Sequence, residues 1–548
     1  MKLYKYYISI SLFIFFANGI IAQENEDFGD FPYQESFLNR TTLPPGVEKP
    51  DPAGTTMTNS AAPSLEGLIL TPDAFDRFGA IYLDNHKFKS RNGILIEFEY
   101  MIFSDKANEK DFGGDGLSLF FFDAKTADPN IGASGAGLGY TYNRSLLNTS
   151  ANVYRAEGLR GAYMGVAFDS YGNFKELRFQ GESRVSGLPL AYTSTGGNDI
   201  RPAPGTDMTN HVTIRGARRL QGFTPPGMGV GFCGYPVLVS QSTLNDYGVK
   251  LKTVSNFAYT KEKLSIGKNY FKIRGGKKFE KPGDEGYRKA FVELYPNGGD
   301  EGFFVSVMIE HESKKDTIIY DYEYKKSLTY LENAVTDPLS NGDNVDQDVP
   351  RIAASAQTLD VPIPLELKIG LAAATGSGAM SGAKHDKHVI KNLGIRLPRS
   401  AEAYDDFLDD QYAGITVTFK PLLNDLAYKG LISKQQKGDP KNIDPTTFRF
   451  IKPDGNPSDD YYNYTDTDGG IWRYDETTGT VTYRHPDRTF TGKPRVKYSI
   501  KGLPDPPNPY ANEAYRSLPA TIGVNIIENP NKQKNIISNR MITNDVTG

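Results

Sequence analysis

A single cysteine, Cys233, stands among 548 residues. No internal disulfide can form, so stability has to come from core burial, and Cys233 itself has no paired motif and reads as a small buried apolar residue. The six histidines, His86, His211, His311, His385, His388 and His485, contain no His-Glu-x-x-His spacing and no helix to carry one, which excludes that class of metal site. Neither sign of charge dominates: 62 basic residues face 66 acidic ones, and nothing draws the chain onto nucleic acid or an anionic membrane. Helical periodicity is also missing. Long apolar runs are confined to the first 22 residues, where Lys2 and Lys5 precede a run from Ile8 to Ala17 and small residues continue to Ala22. That run falls short of the ~20 residues a membrane-spanning helix needs, and the segment reads as a secretory signal peptide. No cysteine sits at the cleavage site, which argues against a lipid anchor there. The expected mature chain is exported, to a cell's outer surface or the medium, with no membrane-spanning segment.

Glycine (55), tyrosine (33) and phenylalanine (31) are plentiful, a composition that suits aromatic strands joined by tight turns. Residues 23–60, with Pro44-Pro45-Gly46, Pro50 and Pro52, read as a leader or linker with little core of its own. From 61 to 397 strand-like runs recur without a helical interruption. Ile94, Ile96, Phe98, Tyr100 and Ile102 alternate with Leu95, Glu97, Glu99, Met101 and Phe103, a strand with one wetter face. Residues 398–411, acidic and opened by proline, read as a linker. Beyond them, period-two runs such as Thr480–Arg484 and Arg495–Ile500 predict a second, smaller β-sandwich over 412–527. A polar tail occupies 528–548.

Two strand ends carry the chemistry. Phe112-Gly-Gly-Asp-Gly-Leu-Ser-Leu-Phe-Phe-Phe-Asp123 sets Asp115 between glycines at the mouth of a strand too apolar to face water. Gly116 and its neighbours remove the Cβ atoms that would hold another molecule away, so Asp115 reads as a ligand-binding group. Met164-Gly-Val-Ala-Phe-Asp-Ser-Tyr-Gly-Asn-Phe174 repeats the arrangement and ends in Asp169, Tyr171 and Asn173; the two ends are expected to form one site. The alternatives are ordinary: a turn aspartate capping its own backbone for Asp115, and an Asx turn for Asp169 and Asn173. Glu97 and Glu99, roughly 7 Å apart along one strand face, have a spacing a glycosidase pair could use, though alternating glutamates on a wet face are commonplace. Trp472, a residue that often stacks on sugars, lies within a hairpin of the second domain, which favours core packing.

In four segments the first domain resembles the L-type (legume-type) lectins and their bacterial relatives. These are Leu68–Tyr82, Gly114-Asp115-Gly116-Leu117, Gly165-Val-Ala-Phe-Asp-Ser-Tyr-Gly-Asn-Phe174, and Leu367–Gly376 with His388–Leu393. The resemblance implies an all-β, concanavalin-like jelly-roll sandwich in which Asp115 accepts sugar hydroxyls, often behind a cis peptide. It implies that Asp169, the Tyr171 carbonyl and Asn173 hold calcium. It also implies that the loop at Gly376, Ser377 and Gly378, with His385 and His388 nearby, sets sugar preference. Ala167 stands where plant members carry a metal-binding glutamate, so no transition metal is expected. Leu177, Arg178 and Ser183 replace other ligands, which leaves Asp199 or Asp207 to complete a calcium shell. The second domain resembles the cadherin-like and CshA-type fibril repeats of bacterial surface adhesins, through Phe419–Asp425, Gly469–Tyr483, Phe490-Thr-Gly-Lys-Pro and Val496-Lys-Tyr. That likeness implies an Ig-like spacer.

These readings converge on an exported lectin-like adhesin that binds glycans, polysaccharides or glycoconjugates at modest affinity per site, with avidity from clustering in a cell-surface assembly. A polysaccharide hydrolase or lyase on the same jelly roll, and a structural surface domain without a sugar site, are the rivals. The Glu-x-Asp-x-x-Glu strand signature of glucanases with this fold is absent.

Overall fold

The computed structural model describes residues 30–52, 57–104, 113–141, 158–175, 209–218, 234–251, 259–261, 270–275, 281–297, 301–332, 355–378, 384–428, 438–504 and 513–530. The signal segment, Cys233, Asp199, Asp207 and residues 531–548 lie outside them. The protein is all-β. A ten-stranded sheet runs from Tyr259–Lys261 through Gly248–Leu251, Val237–Ser242, His211–Arg215, Ala162–Asp169, Gly116–Asp123, Glu366–Ala374 and Phe78–Leu83 to Val47–Glu48, with Phe88–Lys89 also paired to Glu366–Ala374. An eight-stranded sheet runs from Lys314–Lys325 through Gly302–His311, Arg288–Pro296, Ile94–Phe103, Lys387–Arg396 and Gly67–Thr71 to Ala62–Ser64, with Tyr33–Glu35 also paired to Lys387–Arg396. All pairings within both sheets are antiparallel. Their facing sides interdigitate in one core that joins Ile94, Ile96, Phe98, Tyr100 and Ile102 to Leu117, Leu119, Phe121 and Val166, the antiparallel sandwich that the strand pattern predicts and that the resemblance makes a jelly roll.

The apolar character of Gly116–Asp123 has a simple origin. Leu117, Leu119 and Phe121 enter the core between the sheets, whereas Phe120 and Phe122 enter a second cluster on the other face with Phe78, Ile131, Leu138 and Tyr140. Residues 131–141 cover that outer face, fixed by the Ser118 hydroxyl donating to the Leu138 carbonyl at 2.6 Å and Tyr140 donating to the Gly216 carbonyl at 2.8 Å. Each phenylalanine so buried contributes about 1.5–3 kcal/mol. Gly165 makes room for this cap: a Cβ there would lie 2.7 Å from the Tyr140 ring.

Three sequence expectations change. The leader supplies strands: Tyr33–Glu35 pairs with Gly394 and its neighbours, Val47–Glu48 pairs with Tyr82 and Leu83, and Phe37 is buried. The acidic linker contains the strand Asp406–Tyr412, which pairs in parallel with Ala520–Ile527. The wetter face of Ile94–Phe103 is covered. Glu97 is 8% exposed and meets Lys289 at 2.8 Å and Arg396 at 3.2 Å; although burial acts to raise its pKa, these two cations hold it down at about 2. Glu99 meets Lys391 and Asn392.

The second sandwich stacks the sheet of Asp406–Tyr412, Ala520–Ile527, Arg495–Gly502 and Ile443–Ile451 on that of Val417–Phe419, Thr480–Arg484, Ile471–Asp475 and Asn463–Thr465. Trp472 is fully buried beside Phe419 and Tyr483 and donates its indole N–H to Asp466. Asp425, just after the turn at Asn424, is fully buried. It accepts from the Tyr404 N–H at 2.8 Å and from the Tyr498 hydroxyl at 2.8 Å. Burial pushes its carboxyl up to about 8, helped by the Asp406 carboxylate beside it. A folded pKa above the unfolded one means that the stabilisation is full below the unfolded value, about 4, and is lost as pH climbs through the folded one. Melting followed by Trp472 fluorescence should therefore fall by several degrees between pH 5 and pH 9, and Asp425→Asn should flatten that slope; an equally steep slope in the variant would remove Asp425 as its cause.

Candidate functional site

Register brings the two sequence motifs together. Gly116, the first residue of its strand, lies opposite Asp169, the last residue of the neighbouring one. The loops entering and leaving these strands must then emerge side by side. They are joined by three hydrogen bonds: the Tyr171 N–H and the Ser170 hydroxyl both donate to the Asp115 carbonyl, at 3.0 and 3.1 Å, and the Asn173 amide donates to Asp115 Oδ1 at 3.1 Å. Asp115 is 5% exposed. Burial pushes its carboxyl up to about 6, against the hydrogen bond from Asn173. Tyr171, whose backbone N–H meets the Asp115 carbonyl, is 41% exposed.

The glycines do a different job from the one expected. A Cβ at Gly113 would lie 2.0 Å from Asp386 Oδ2, one at Gly114 would lie 2.1 Å from the Lys384 carbonyl oxygen, and one at Gly116, with φ of +155°, would lie 2.6 Å from the Phe168 carbonyl oxygen. Protein fills all three spaces. The glycines therefore let the Asp115 loop press against residues 384–386, and Gly116 is a buried packing position and not a ligand contact. Oδ2 of Asp115 faces Gly135, where a Cβ would stand 3.8 Å away. The Gly114–Asp115 bond is trans; the cis peptide among the described residues is Phe31–Pro32.

The loop after Thr375 shares a wall with Asp115. The Gly376 N–H donates to the Lys384 carbonyl at 2.9 Å, the same carbonyl that Gly114 packs against. The turn at 74–77 holds this loop, with the Asp76 N–H on the Gly376 carbonyl and the Gly378 N–H on Asp76 Oδ2, both at 3.1 Å. Gly376 and Ser377 are half-buried and Gly378 is exposed. His385 and His388 are fully buried and so cannot read a ligand. His385 meets Asp73 at 2.6 Å, and His388 meets the Thr71 hydroxyl at 2.6 Å. Arg274 grips Asp386 with two bonds at 2.6 and 3.1 Å beneath the same loop.

Two buried cations that the sequence reading passed over brace residues 169–175. Lys175, fully buried, donates its ammonium to the Gly172 carbonyl. Arg215, also fully buried, places Nε and Nη2 on the Phe174 carbonyl at 3.0 and 2.7 Å and Nη1 on the Tyr235 carbonyl at 2.8 Å. Inside this loop Asp169 accepts the Gly172 N–H at 2.6 Å and the Phe174 N–H at 2.8 Å, one on each carboxylate oxygen. Burial pushes its carboxyl up to about 6, while Lys175 and the two N–H groups pull it the other way. His211, opposite Asp169 in the sheet, is held well below its ordinary pKa by burial and by the Lys175 charge, so it is neutral.

Asp169, Tyr171 and Asn173 fit calcium poorly as a donor set. Asn173 Oδ1 is buried without a partner and would suit an ion, but both Asp169 oxygens already accept N–H groups and an ammonium sits within the loop. A divalent ion ~5 Å from that ammonium would be repelled by roughly 7 kcal/mol at an effective dielectric constant near 20. Among the described residues no group of three or more His, Cys, Asp or Glu is placed to hold a metal ion. No described helix is long and apolar enough to cross a membrane.

No family model matches the chain, and no curated protein matches it. Among solved structures it is similar to the VIP36 exoplasmic/lumenal domain in its Ca2+/Man3GlcNAc-bound form, at 10% identity over 66% of this chain and 88% of that one, TM-score 0.30. It is similar to basic winged bean lectin with Tn-antigen at 11% identity over 67% and 98%, TM-score 0.29, and to peanut lectin with a 9-residue peptide at 14% over 66% and 96%, TM-score 0.23. Overlays this loose transfer neither a ligand nor an ion, and the chemistry rests on the side chains above.

The close approach at Gly114 has a measurable consequence. Gly114→Ala should destabilise the first sandwich by about 1–3 kcal/mol through overpacking, read as a lower urea midpoint in far-UV circular dichroism with the Trp472 transition unmoved. An unchanged midpoint would mean that the loop does not pack on Lys384.

Proposed function

We propose that this chain binds glycans, without cleaving them, at the end of the larger sandwich where the Asp115, Tyr171–Asn173 and Gly376–Gly378 loops meet. The observation that carries the reading is the Asn173–Asp115 hydrogen bond. It fixes a recessed carboxylate and an amide side by side, with Oδ2 of Asp115 turned toward Gly135 and the partly exposed Tyr171 two residues before the amide. A sugar presents neighbouring hydroxyls that both donate and accept. Asp115 Oδ2 accepts from one, the second N–H of the Asn173 amide donates to another, and the Tyr171 ring offers an apolar face. Gly376, Ser377 and Gly378 complete the rim, where differences in side chain and length alter which sugar fits.

Export through the 1–22 segment, and a spacer role for the second sandwich at a cell surface, belong to the same proposal. Several weak sites held on such a surface gain strength through avidity. Hydrolysis is disfavoured by what the paired glutamates do: Glu97 and Glu99 are engaged by Lys289, Arg396, Lys391 and Asn392 on the other sheet.

On a glycan array the wild-type chain should bind a limited set of sugars, and Asp115→Ala should abolish that binding with a melting temperature within a few degrees of wild type. Equal binding by the variant would place the site elsewhere. Incubation with a polysaccharide panel should release no reducing ends or unsaturated sugars; release of either would favour the enzyme.

A further inference from the structure

We infer that the Lys175 ammonium takes the structural place of a bound divalent cation, so that the 169–175 loop is built without metal. A cation-braced loop needs a positive centre that collects carbonyl oxygens and balances nearby carboxylate. Lys175 meets both demands from within the chain. It is fully buried, it donates to the Gly172 carbonyl, and it lies close enough to Asp169 to act on that carboxyl. Burying an ammonium is unfavourable unless oxygen atoms surround it, so a lysine in this position is held there by the loop it organises.

The rest of the loop is arranged to match. Asp169 spends its two oxygens on the N–H groups of Gly172 and Phe174, closing the turn with backbone donors. Arg215 holds the far end through the Phe174 carbonyl. Two cations covalently part of the chain thus fix the turn that presents Asn173 to Asp115. Arg215 reaches the turn from a neighbouring strand, and Lys175 reaches it from two residues beyond Asn173. Both belong to the chain itself, so a chelator cannot remove them. If the glycan proposal holds, sugar binding at this end is independent of calcium; that clause rests on the proposal, and the claim about the loop does not.

The test uses the full chain and calcium chloride as the probe. Thermal unfolding of wild type should shift by less than ~1 °C between excess calcium and excess EDTA, because a ligand that does not bind cannot stabilise. Lys175→Met, which keeps the apolar stem and removes the charge, should lower the melting temperature by several degrees, and Lys175→Arg should recover part of the loss. A calcium-dependent rise of several degrees in wild type, reversed by EDTA, would overturn the inference, as would a Lys175→Met variant that melts like wild type. Should Lys175→Met fail to fold, the wild-type calcium response decides alone. Because the readout is melting and not sugar binding, an empty glycan array with a calcium-indifferent wild type would sink the glycan proposal and leave the lysine in place.

Discussion

The hydrogen bond from the Asn173 amide to Asp115 Oδ1 is the contact on which the rest of the site depends, and a single register makes it. Gly116 opposite Asp169 sets the start of one strand against the end of the next, and the β-period then fixes where every following side chain points. A slip of one residue would turn Asp169 and Phe168 to the wrong faces of the sheet. The slip is prevented because this strand pair is buried on both sides, with Leu117 and Phe121 in one core and Phe120 and Phe122 in the other. Packing on two faces thus sets the position of a polar contact at the edge.

Several charges are taken inside the fold and paired there. On the eight-stranded sheet Glu97 binds Lys289 and Arg396, and Arg396 also approaches Glu402 at 4.0 Å, on the chain segment leading to the second sandwich. Tyr404 and Tyr428 donate to the same Glu402. Beneath the candidate site, Arg274 with Asp386 supports the Asp115 loop in the same way. Buried pairs of this kind contribute little net stability but disfavour alternative arrangements, since breaking one leaves a charge stranded. They fix where loops sit, which a recognition site requires.

Much of the fold was legible because strand periodicity is local. The core positions of Ile94–Phe103 and the motif ends at Asp115 and Asp169 could be read from neighbours one and two residues away. What escaped was non-local. Nothing in Tyr33–Glu35 announces a partner more than 350 residues on, and Asp406–Tyr412 reads as a linker because its acids line an exposed edge. Glu97 and Glu99 read as wet since alternation reports polarity and says nothing of Lys289 or Arg396. The glycines around Asp115 were visible, but their purpose depended on Lys384 and Asp386, which fill the space that a ligand was expected to use. Lys175 carried a faint signal: a cation two residues past Asn173, where a loop built for calcium has no use for one.

The central claim is that Asp115 and Asn173 act as one unit, and a double-mutant cycle on affinity for a glycan that the wild type binds tests it most directly. Residues sharing one interaction are non-additive. The account predicts that Asn173→Ala and Asp115→Ala each remove most of the affinity and that combining them removes little more. Two losses that simply add, or an Asn173→Ala variant that binds like wild type, would contradict it.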